Sequence, residues 1–435
     1  MNMYGNISKK QPSARKFSVL CQFVATIFLI SLISTINPRT GWGKTDQPPA
    51  GEPKKTTDSK NMLKQESRDI SLQKEAQHSI DIGLNWLKSK QNKDGSWSSP
   101  DYPAVTALAV LGFLRDPSSS AGHNQYSAAV KKALKYIMGK VQPDGGIYTP
   151  DKGLATYNTS ICLTALVATG DPAYNDTIQK ARNFLVSLQQ DEGKAGVVDN
   201  LYDGGIGYGG KEKHSDMSNM YFAIEALRVS EKRETDQKEK PLDLKQVQSK
   251  DLDWQAALRF IERCQNNPQS NDQPWASSDP NNYGGFVYFP GSSKAGEEKL
   301  PDGKTTLRSY GSMTYAGLLS FIYAQVKKDD PRVRAAYDWI RNHYTLEENP
   351  GLGLQGLYYN YHTMAKALAV YGEEEFQVKG RQDKVNWRKE LLAKLISVQK
   401  GDGYWVNDQG RWWENDPALV TSYAILTMEI ALAGY

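Results

Sequence analysis

Apolar and polar positions along the chain form two kinds of segment that alternate. In "GLNWLKSKQNKDGSW" (83–97), apolar residues lie on one face of a helix and charged residues on the other, which is typical of a helix with one exposed side. In "YPAVTALAVLGFL" (102–114), apolar residues surround the helix on every side, as expected of a helix buried between neighbours. The alternation predicts helical hairpins, each with an outer and an inner helix.

The amphipathic segment recurs, and each copy precedes an apolar segment. The six copies are residues 83–97, 133–148, 181–193, 257–267, 336–353 and 391–405. In four copies a glutamine follows the aromatic position by five residues, with Lys394 in place of the aromatic in the last. No terminal copy carries the polar cap of an open solenoid. We therefore predict an all-α fold over residues 75–435, an α/α toroid of six hairpins closed into a ring.

The turn that ends each outer helix has a structural interpretation. Gly95 can adopt a left-handed backbone where the hairpin reverses, and Asp94 can accept hydrogen bonds from turn amides. Gln91 is placed to hydrogen-bond the loop backbone, and Trp97 offers a flat surface to the neighbouring turn. We interpret this motif as a staple between adjacent hairpins.

The spacing of aromatic, glutamine, glycine and tryptophan residues resembles the repeat of squalene–hopene and oxidosqualene cyclases. The wider pattern is similar to the β subunits of protein prenyltransferases. The resemblance covers nearly all of residues 75–435, and it implies an α/α toroid whose central cavity holds an isoprenoid. The reactions of these families do not follow from the fold, because chemistry depends on the site.

The acid motif of the resembled cyclases is incomplete. Those enzymes protonate an alkene with an Asp-x-Asp-Asp stretch at the head of an inner helix, where clustered carboxylates keep one of them protonated. The nearest match is "SDMSNMYF", in which Asp216 remains and Ser218 and Asn219 are neutral. Cyclisation by this route is therefore not expected.

The zinc site of the resembled prenyltransferases is incomplete as well. It requires Asp, Cys and His ligands, and only His362, in "NYHTMAKAL", matches the family's histidine. Arg308 and Tyr310 occupy the positions of the aspartate and the cysteine. We predict no metal and no cofactor.

Carbohydrate chemistry stays open as an alternative. Toroidal glycosidases and lyases use paired carboxylates, or an acid with a basic residue. Asp216, Glu225, Arg308 and Asp416 are groups of this kind, but their spacing along the chain does not place them around a ring. A complement-type thioester motif, Gly-Cys-Gly-Glu-Gln, is absent from the sequence.

The first residues of the inner helices define the candidate site. Aligned by their apolar pattern, the helices place these residues at comparable positions: Thr106, Thr159, Asn219, Ser312, His362 and Thr421. They are either helix caps or a ring around one mouth of the cavity, in which His362 alone titrates near neutral pH. The catalytic candidates are His214, Asp216 and His362. The candidates for ligand binding are Asn219, Arg308, Tyr310, Tyr361, Trp412, Trp413 and Asp416.

The N-terminal segment predicts export. Basic residues between Lys9 and Lys16 precede an apolar run over 17–36, so residues 1–43 are interpreted as a secretory signal or a membrane anchor. Residues 44–74 are polar and predict a disordered linker. Export permits a disulfide between Cys162 and Cys264, but their helical settings favour buried free thiols.

Three functions fit this sequence. The first is an exported protein, periplasmic or extracellular, that binds an apolar or isoprenoid-like ligand. The second is an enzyme of the cyclase, lyase or hydrolase type with a non-standard site, and the third is a scaffold for protein partners. The net charge of +4 is spread along the chain, which argues against nucleic acid as a partner. A cavity filled by side chains would favour the scaffold.

Overall fold

The computed structural model describes residues 57–116, 127–209, 214–237 and 251–434. The chain divides into two compact units, 1–64 and 65–435; of the first, only 57–64 are described, as the beginning of a helix. The expected signal or anchor at 1–43 lies outside the described residues. Within those residues, none of the helices has the length and apolar character needed to cross a membrane.

The described residues form six helical hairpins. The outer helices are α1 (Thr57–Ser89), α3 (Ala128–Met138), α5 (Asn175–Ser187), α7 (Trp254–Arg263), α9 (Pro331–His343) and α11 (Trp387–Val398). The inner helices are α2 (Pro103–Arg115), α4 (Ala155–Ala168), α6 (Met217–Gln237), α8 (Gly311–Tyr323), α10 (Leu357–Tyr371) and α12 (Pro417–Leu432). Two short antiparallel hairpins lie in the loops, β1 (Glu297–Lys299) with β2 (Thr305–Leu307) and β3 (Glu375–Gln377) with β4 (Lys384–Asn386).

The inner helices close into a ring. Each one packs against the inner helices of the two neighbouring hairpins, in the order α2, α4, α6, α8, α10 and α12, and α12 packs back against α2. The inner helices are buried on all sides, as in α12, where the residues from Ala418 to Glu429 are all buried. The outer helices bury one face, as in α7. The prediction of an all-α toroid is confirmed.

Glutamine side chains staple the hairpins together, as predicted. The Gln91 amide nitrogen donates to the carbonyl of Gly95 at 3.0 Å and to that of Ala129 on α3 at 2.9 Å. Gln189 and Gln265 bond in the same way to their turn glycine and to the next outer helix or its N-cap. Gln399 repeats this geometry, and its bond to the carbonyl of Ser79 on α1 closes the ring.

The turn beside each staple requires glycine. Gly95 has a φ of +99°, in the left-handed region that L-residues rarely adopt. A Cβ at Gly95 would also lie 2.4 Å from the carbonyl oxygen of Lys132 on α3. Trp97 is fully buried, and its indole nitrogen donates to the carbonyl of Leu87 at 2.7 Å. The motif is structural, as interpreted from the sequence.

The interpretation of the inner-helix threonines as helix caps is wrong. Thr106 lies inside α2, and its hydroxyl accepts a hydrogen bond from the backbone nitrogen of Trp97 at 3.0 Å. Thr421 accepts the same bond from Trp405. In α8 the residue that bonds in this way is Thr314 and not Ser312, because the apolar pattern alone does not determine where that helix begins. These residues attach the turn of a hairpin to its own inner helix.

The linker expected over 44–74 is corrected in part, because α1 begins at Thr57 and residues 57–74 are helical. Polar residues that suggest a solvated linker are paired in the structure: the ammonium of Lys389 on α11 lies 2.7 Å from a carboxylate oxygen of Asp69. Leu72 packs against the core. Tertiary contacts therefore extend the helix, and residues 44–56 lie outside the described part of the chain.

The two cysteines of the toroid are buried free thiols. Cys162 lies on α4, and Cys264 follows α7. Burial raises the pKa of the Cys162 thiol above its usual value. A thiol of this kind is protonated and inert at neutral pH.

Candidate functional site

Aromatic rings from non-adjacent inner helices meet inside the ring. Tyr157 of α4 lies 5.4 Å from Phe222 of α6, measured between ring centroids. Phe222 lies 6.1 Å from Tyr359 of α10, which lies 6.1 Å from Tyr423 of α12. Because α8 separates α6 from α10 around the ring, the contact of Phe222 with Tyr359 crosses the interior. We call these four residues the aromatic row.

The aromatic row borders accessible space. Tyr157 and Tyr359 are only half-buried, whereas Phe222 and Tyr423 are buried. The inner helices carrying them are otherwise almost entirely buried. Aromatic faces together with a small number of placed polar groups are the usual composition of a pocket for a small apolar molecule.

Asp216 caps the N-terminus of α6. One carboxylate oxygen accepts hydrogen bonds from the backbone nitrogens of Ser218 and Asn219, at 3.0 and 2.9 Å, and the other accepts from the Asn219 amide at 2.7 Å. Burial raises the pKa of Asp216 to about 6, although these hydrogen bonds oppose the shift. Asp216 is therefore largely ionised at neutral pH, and both its oxygens are engaged by the helix.

Tyrosines surround Asp216 at this end of the ring. Burial, and after it the negative charge of Asp216, raises the pKa of Tyr157 and of Tyr288. The hydroxyls of Tyr208 and Tyr288 lie 2.7 Å apart, and the hydroxyl of Tyr359 lies 3.2 Å from that of Ser218. The phenols therefore stay protonated and act as hydrogen-bonding groups.

His362 is buried beside the aromatic row. It is 2% exposed on α10, and its ring centroid lies 5.4 Å from that of Tyr423. Burial lowers the pKa of His362 well below its usual value, and the positive charges of Lys366 and Arg115 add to this effect. Its Nδ1 atom has no hydrogen-bond partner among the described residues. His362 is neutral at physiological pH, so it does not serve as a proton donor there.

A buried ion pair forms a second link across the interior. Lys366 of α10 pairs with Glu225 of α6, and its ammonium lies 5.4 Å from the ring centroid of Tyr221. Burial lowers the pKa of Lys366, and the hydroxyl of Tyr323 donates to Glu225 at 3.4 Å. Sequence analysis missed Lys366; the available signal was one lysine within the apolar segment "YHTMAKALAVYG".

Two predicted ligand-binding residues lie away from this interior. The Arg308 side chain is exposed, 3.8 Å from a carboxylate oxygen of Glu298. Tyr361 follows Tyr359 on α10, but its hydroxyl donates to the carbonyl of Leu346, in the loop after α9. A shift of two residues along a helix turns a side chain through more than half a turn, which explains why Tyr361 and Tyr359 face different directions.

The remaining residues near α6 and α8 lie at the same end of the ring as Asp216. His214 is half-buried, with its ring centroid 6.0 Å from that of Tyr208 and 5.6 Å from that of Phe289. The positive charge of His214 lowers the pKa of Asp216 slightly against the effect of burial. Tyr310 is the buried N-cap residue of α8.

The last predicted residues lie at the surface of the ring and not in its interior. Trp412 and Trp413 are 44% and 45% exposed. Both have left-handed backbones, with φ of 57° and 64°, and each costs roughly 1–2 kcal/mol relative to an ordinary conformation. Asp416 caps α12 by accepting from the backbone nitrogens of Ala418 and Leu419.

No metal site is found in the described part of the chain, where no three His, Cys, Asp or Glu side chains are arranged to hold an ion. His362 is next to Tyr423 and is not grouped with carboxylates or thiols.

Comparisons with known proteins agree with the repeat. The family model of the squalene-hopene cyclase C-terminal domain matches residues 101–260. Alpha-onocerin synthase of Lycopodium clavatum is 28% identical over 29% of this chain, and the match spans 18% of that protein. The solved type II terpene cyclase MstE from Scytonema is 12% identical, with a TM-score of 0.49 over 83% of this chain and 98% of that one. An α-mannanase of Bacteroides thetaiotaomicron is 11% identical, with a TM-score of 0.49 over 81% of this chain and 95% of that one.

Proposed function

We propose that this protein, which belongs to the terpenoid cyclase-like superfamily, binds an apolar, isoprenoid-like small molecule against the aromatic row. Membership of the superfamily rests on the match over residues 101–260 and on the hairpin repeat. The observation that carries the proposal is the aromatic row itself, in which Phe222 meets Tyr359 across the ring beside the half-buried Tyr157. Flat, partly accessible aromatic faces suit an unsaturated hydrocarbon chain.

Buried polar atoms support a ligand with one polar end. Nδ1 of His362 and Oδ1 of Asn219 have no hydrogen-bond partner among the described residues. A buried polar atom left unpaired costs about 1–3 kcal/mol. A hydroxyl group on the ligand, which can donate to an imidazole nitrogen or an amide oxygen, would remove part of this cost, so we propose a prenol-like molecule and not a pure hydrocarbon.

The geometry favours binding over cyclase chemistry. Protonation of an alkene requires a strong acid held in its protonated form. Asp216 is stabilised as a carboxylate by three hydrogen bonds from α6, and Glu225 is paired with Lys366. Both carboxyl groups are therefore engaged by other groups of the chain, which favours binding.

We also propose that the protein is exported, with residues 1–43 as its signal or anchor. The proposal rests on the basic and apolar pattern of that segment and on the physical requirements of secretion signals. N-terminal sequencing of the protein from separated cell fractions tests it. A mature protein that starts near residue 44, or an intact chain in the membrane fraction, is the expected result, and an intact chain in the cytosol would refute it.

The ligand proposal is tested with two tyrosines of the same helix. Geranylgeraniol binding is measured by tryptophan fluorescence for the parent, Tyr359→Leu and Tyr361→Leu. Tyr359→Leu removes an interior ring and is expected to weaken binding roughly tenfold. Tyr361→Leu removes a hydroxyl bonded to Leu346, so it should lower the melting temperature and leave the affinity unchanged.

Mass spectrometry of small molecules extracted from the purified protein adds a direct observation. An apolar molecule at near-equal molar amount in the parent, and depleted in Tyr359→Leu, is expected. If no such molecule is found and Tyr359→Leu binds geranylgeraniol as the parent does, the ligand proposal is wrong. A toroid that presents its outer face to protein partners would then be favoured.

A further inference from the structure

A cleft lies on the surface where the last hairpin meets the first, separate from the aromatic row. It has a volume of about 470 Å³, and its lining includes Ser98, Ser99, Tyr102, Trp413, Asn415 and Asp416. We call it the seam cleft. The rings of Tyr102 and Trp413 pack against each other and form its aromatic surface, with centroids 4.5 Å apart and planes inclined by 49°.

Polar residues of the seam cleft connect the first hairpin to the last. The hydroxyl of Ser98, in the first hairpin, donates to the carboxylate of Asp416, in the last. Ser98 has a left-handed backbone with a φ of 58°, and the same conformation recurs at Trp413 on the opposite side. Non-glycine residues held in this region of backbone space cluster at ligand-binding sites.

Hydrogen bonds to Glu414 hold the loop that carries Trp413. Glu414 is buried, and its carboxylate accepts from the backbone nitrogens of Tyr358 and Tyr359 at the start of α10, at 3.3 and 2.8 Å. It also accepts from the amide of Asn407 at 2.7 Å. These bonds hold both tryptophans in their strained conformations, so the exposed ring of Trp413 is preorganised and loses little entropy when a ligand binds.

From this arrangement we propose that the seam cleft binds a saccharide. A pyranose ring has an apolar face of C–H groups and a rim of hydroxyls. Tyr102 and Trp413 offer aromatic surfaces to the face, while Ser99, Asn415 and Asp416 offer donors and acceptors to the rim. A hydrocarbon chain would offer no hydrogen bond to Ser99 and Asn415 and would bury them at a cost in desolvation. The short cleft fits a terminal or internal sugar unit of an oligosaccharide.

The chain provides a matched control for the test. Trp412 is as exposed as Trp413 and has the same left-handed backbone, but it packs beside Arg411 and Gly356 and does not line the seam cleft. Isothermal titration of the full chain with cellohexaose, mannohexaose and tetra-N-acetylchitotetraose compares the parent with Trp413→Ala and Trp412→Ala. Tyr102→Leu is a second variant, which removes the ring that packs against Trp413.

At least one of the three saccharides is expected to bind the parent. Its affinity should fall roughly tenfold or more in Trp413→Ala, as when an aromatic anchor is removed, and fall in Tyr102→Leu while Trp412→Ala matches the parent. Equal losses in the two tryptophan variants, or no loss in Trp413→Ala, would overturn the proposal. The proposal would also be overturned if none of the three saccharides bound the parent, whether or not a proline-rich decapeptide bound instead.

Discussion

Glu429 is a carboxyl group buried in an apolar helix. Within the described residues neither of its oxygens has a hydrogen-bond partner. Burial raises the pKa of Glu429 well above its usual value; the charge of Arg115 opposes this shift and that of Asp116 adds to it. Between the unfolded and the folded pKa, the folded protein therefore retains a proton that the unfolded chain releases. The stability that this proton contributes is full below pH 4 and is lost as the pH rises above the unfolded value, near 4.5.

Replacing Glu429 with glutamine tests this pH dependence of stability. Glu429→Gln should raise the free energy of unfolding at pH 8, because the amide carries no proton that unfolding releases, and should give no comparable gain at pH 4. Urea melts at the two pH values measure this difference. Glu347→Gln, at a side chain that is 78% exposed, is the control and should give no such pH-dependent gain. A Glu429→Gln gain of equal size at both pH values would contradict a buried, protonated Glu429.

The candidate residues show which contacts can be predicted from a position along the chain and which cannot. Asp216 and His362 were found from their place at the start of inner helices, and both are buried in the ring. The contacts of Tyr359 with Phe222 and of Lys366 with Glu225 were not predicted, because a tyrosine or lysine on an inner helix gives no sign of which helix it meets across the ring. For the same reason, nothing in the sequence indicated that the hydroxyl of Tyr361 bonds to Leu346.

The segment Arg411–Trp413 forms a short 3₁₀ helix whose backbone is non-helical at Trp412, with φ 57° and ψ 32°. Glycine adopts this conformation without the steric cost that a Cβ imposes. We expect Trp412→Gly to be more stable than Trp412→Ala by about 1 kcal/mol. Both variants delete the same indole. The difference between their free energies of unfolding, measured by chemical denaturation, therefore reports the cost of the left-handed backbone.

The same exchange in a regular helix should give the opposite order. Lys180 is an exposed residue of α5, where alanine is favoured over glycine by about 1 kcal/mol. If alanine is the more stable residue at both positions, the left-handed backbone of Trp412 is not held in solution.

Helix α1 is longer than its sequence pattern predicts. The polar composition of residues 57–74 is typical of a linker, and yet they continue the helix that ends at Ser89. The hydroxyl of Ser71 donates to Glu75 one turn along at 2.9 Å, and Lys389 pairs with Asp69 from another helix. The pair of Ser71 with Glu75 is local, whereas the contact with α11 arises from closure of the ring.

Closure gives the first and last hairpins a neighbour on both sides, as the other hairpins have. Gln399 staples the last hairpin to the first with the same two bonds that Gln91 makes between the first and the second. In a closed ring each outer helix has neighbours on both sides, so no hairpin is terminal. An open array, by contrast, loses little when a terminal contact is removed.

The two staples should therefore cost the same when removed. Gln399→Ala and Gln91→Ala each leave two carbonyls without their amide donor, and each is expected to destabilise the protein by about 1–3 kcal/mol. Unfolding should remain one cooperative transition in both, as followed by urea melts with two spectroscopic probes. A much smaller cost for Gln399→Ala, or a separate early transition, would indicate that the ring is open in solution.

The sequence by itself determined the hairpin repeat, the outer and inner positions and the glutamine staple, because helix periodicity and turn chemistry act over a few residues. It also indicated that the acid motif and the zinc ligands of the resembled families are incomplete. Tertiary structure alone decided that Phe222 meets Tyr359, that Glu225 pairs with Lys366, and that Trp413 packs against Tyr102 at the seam. These pairs lie far apart along the chain, and their contacts depend on how the ring curves and closes.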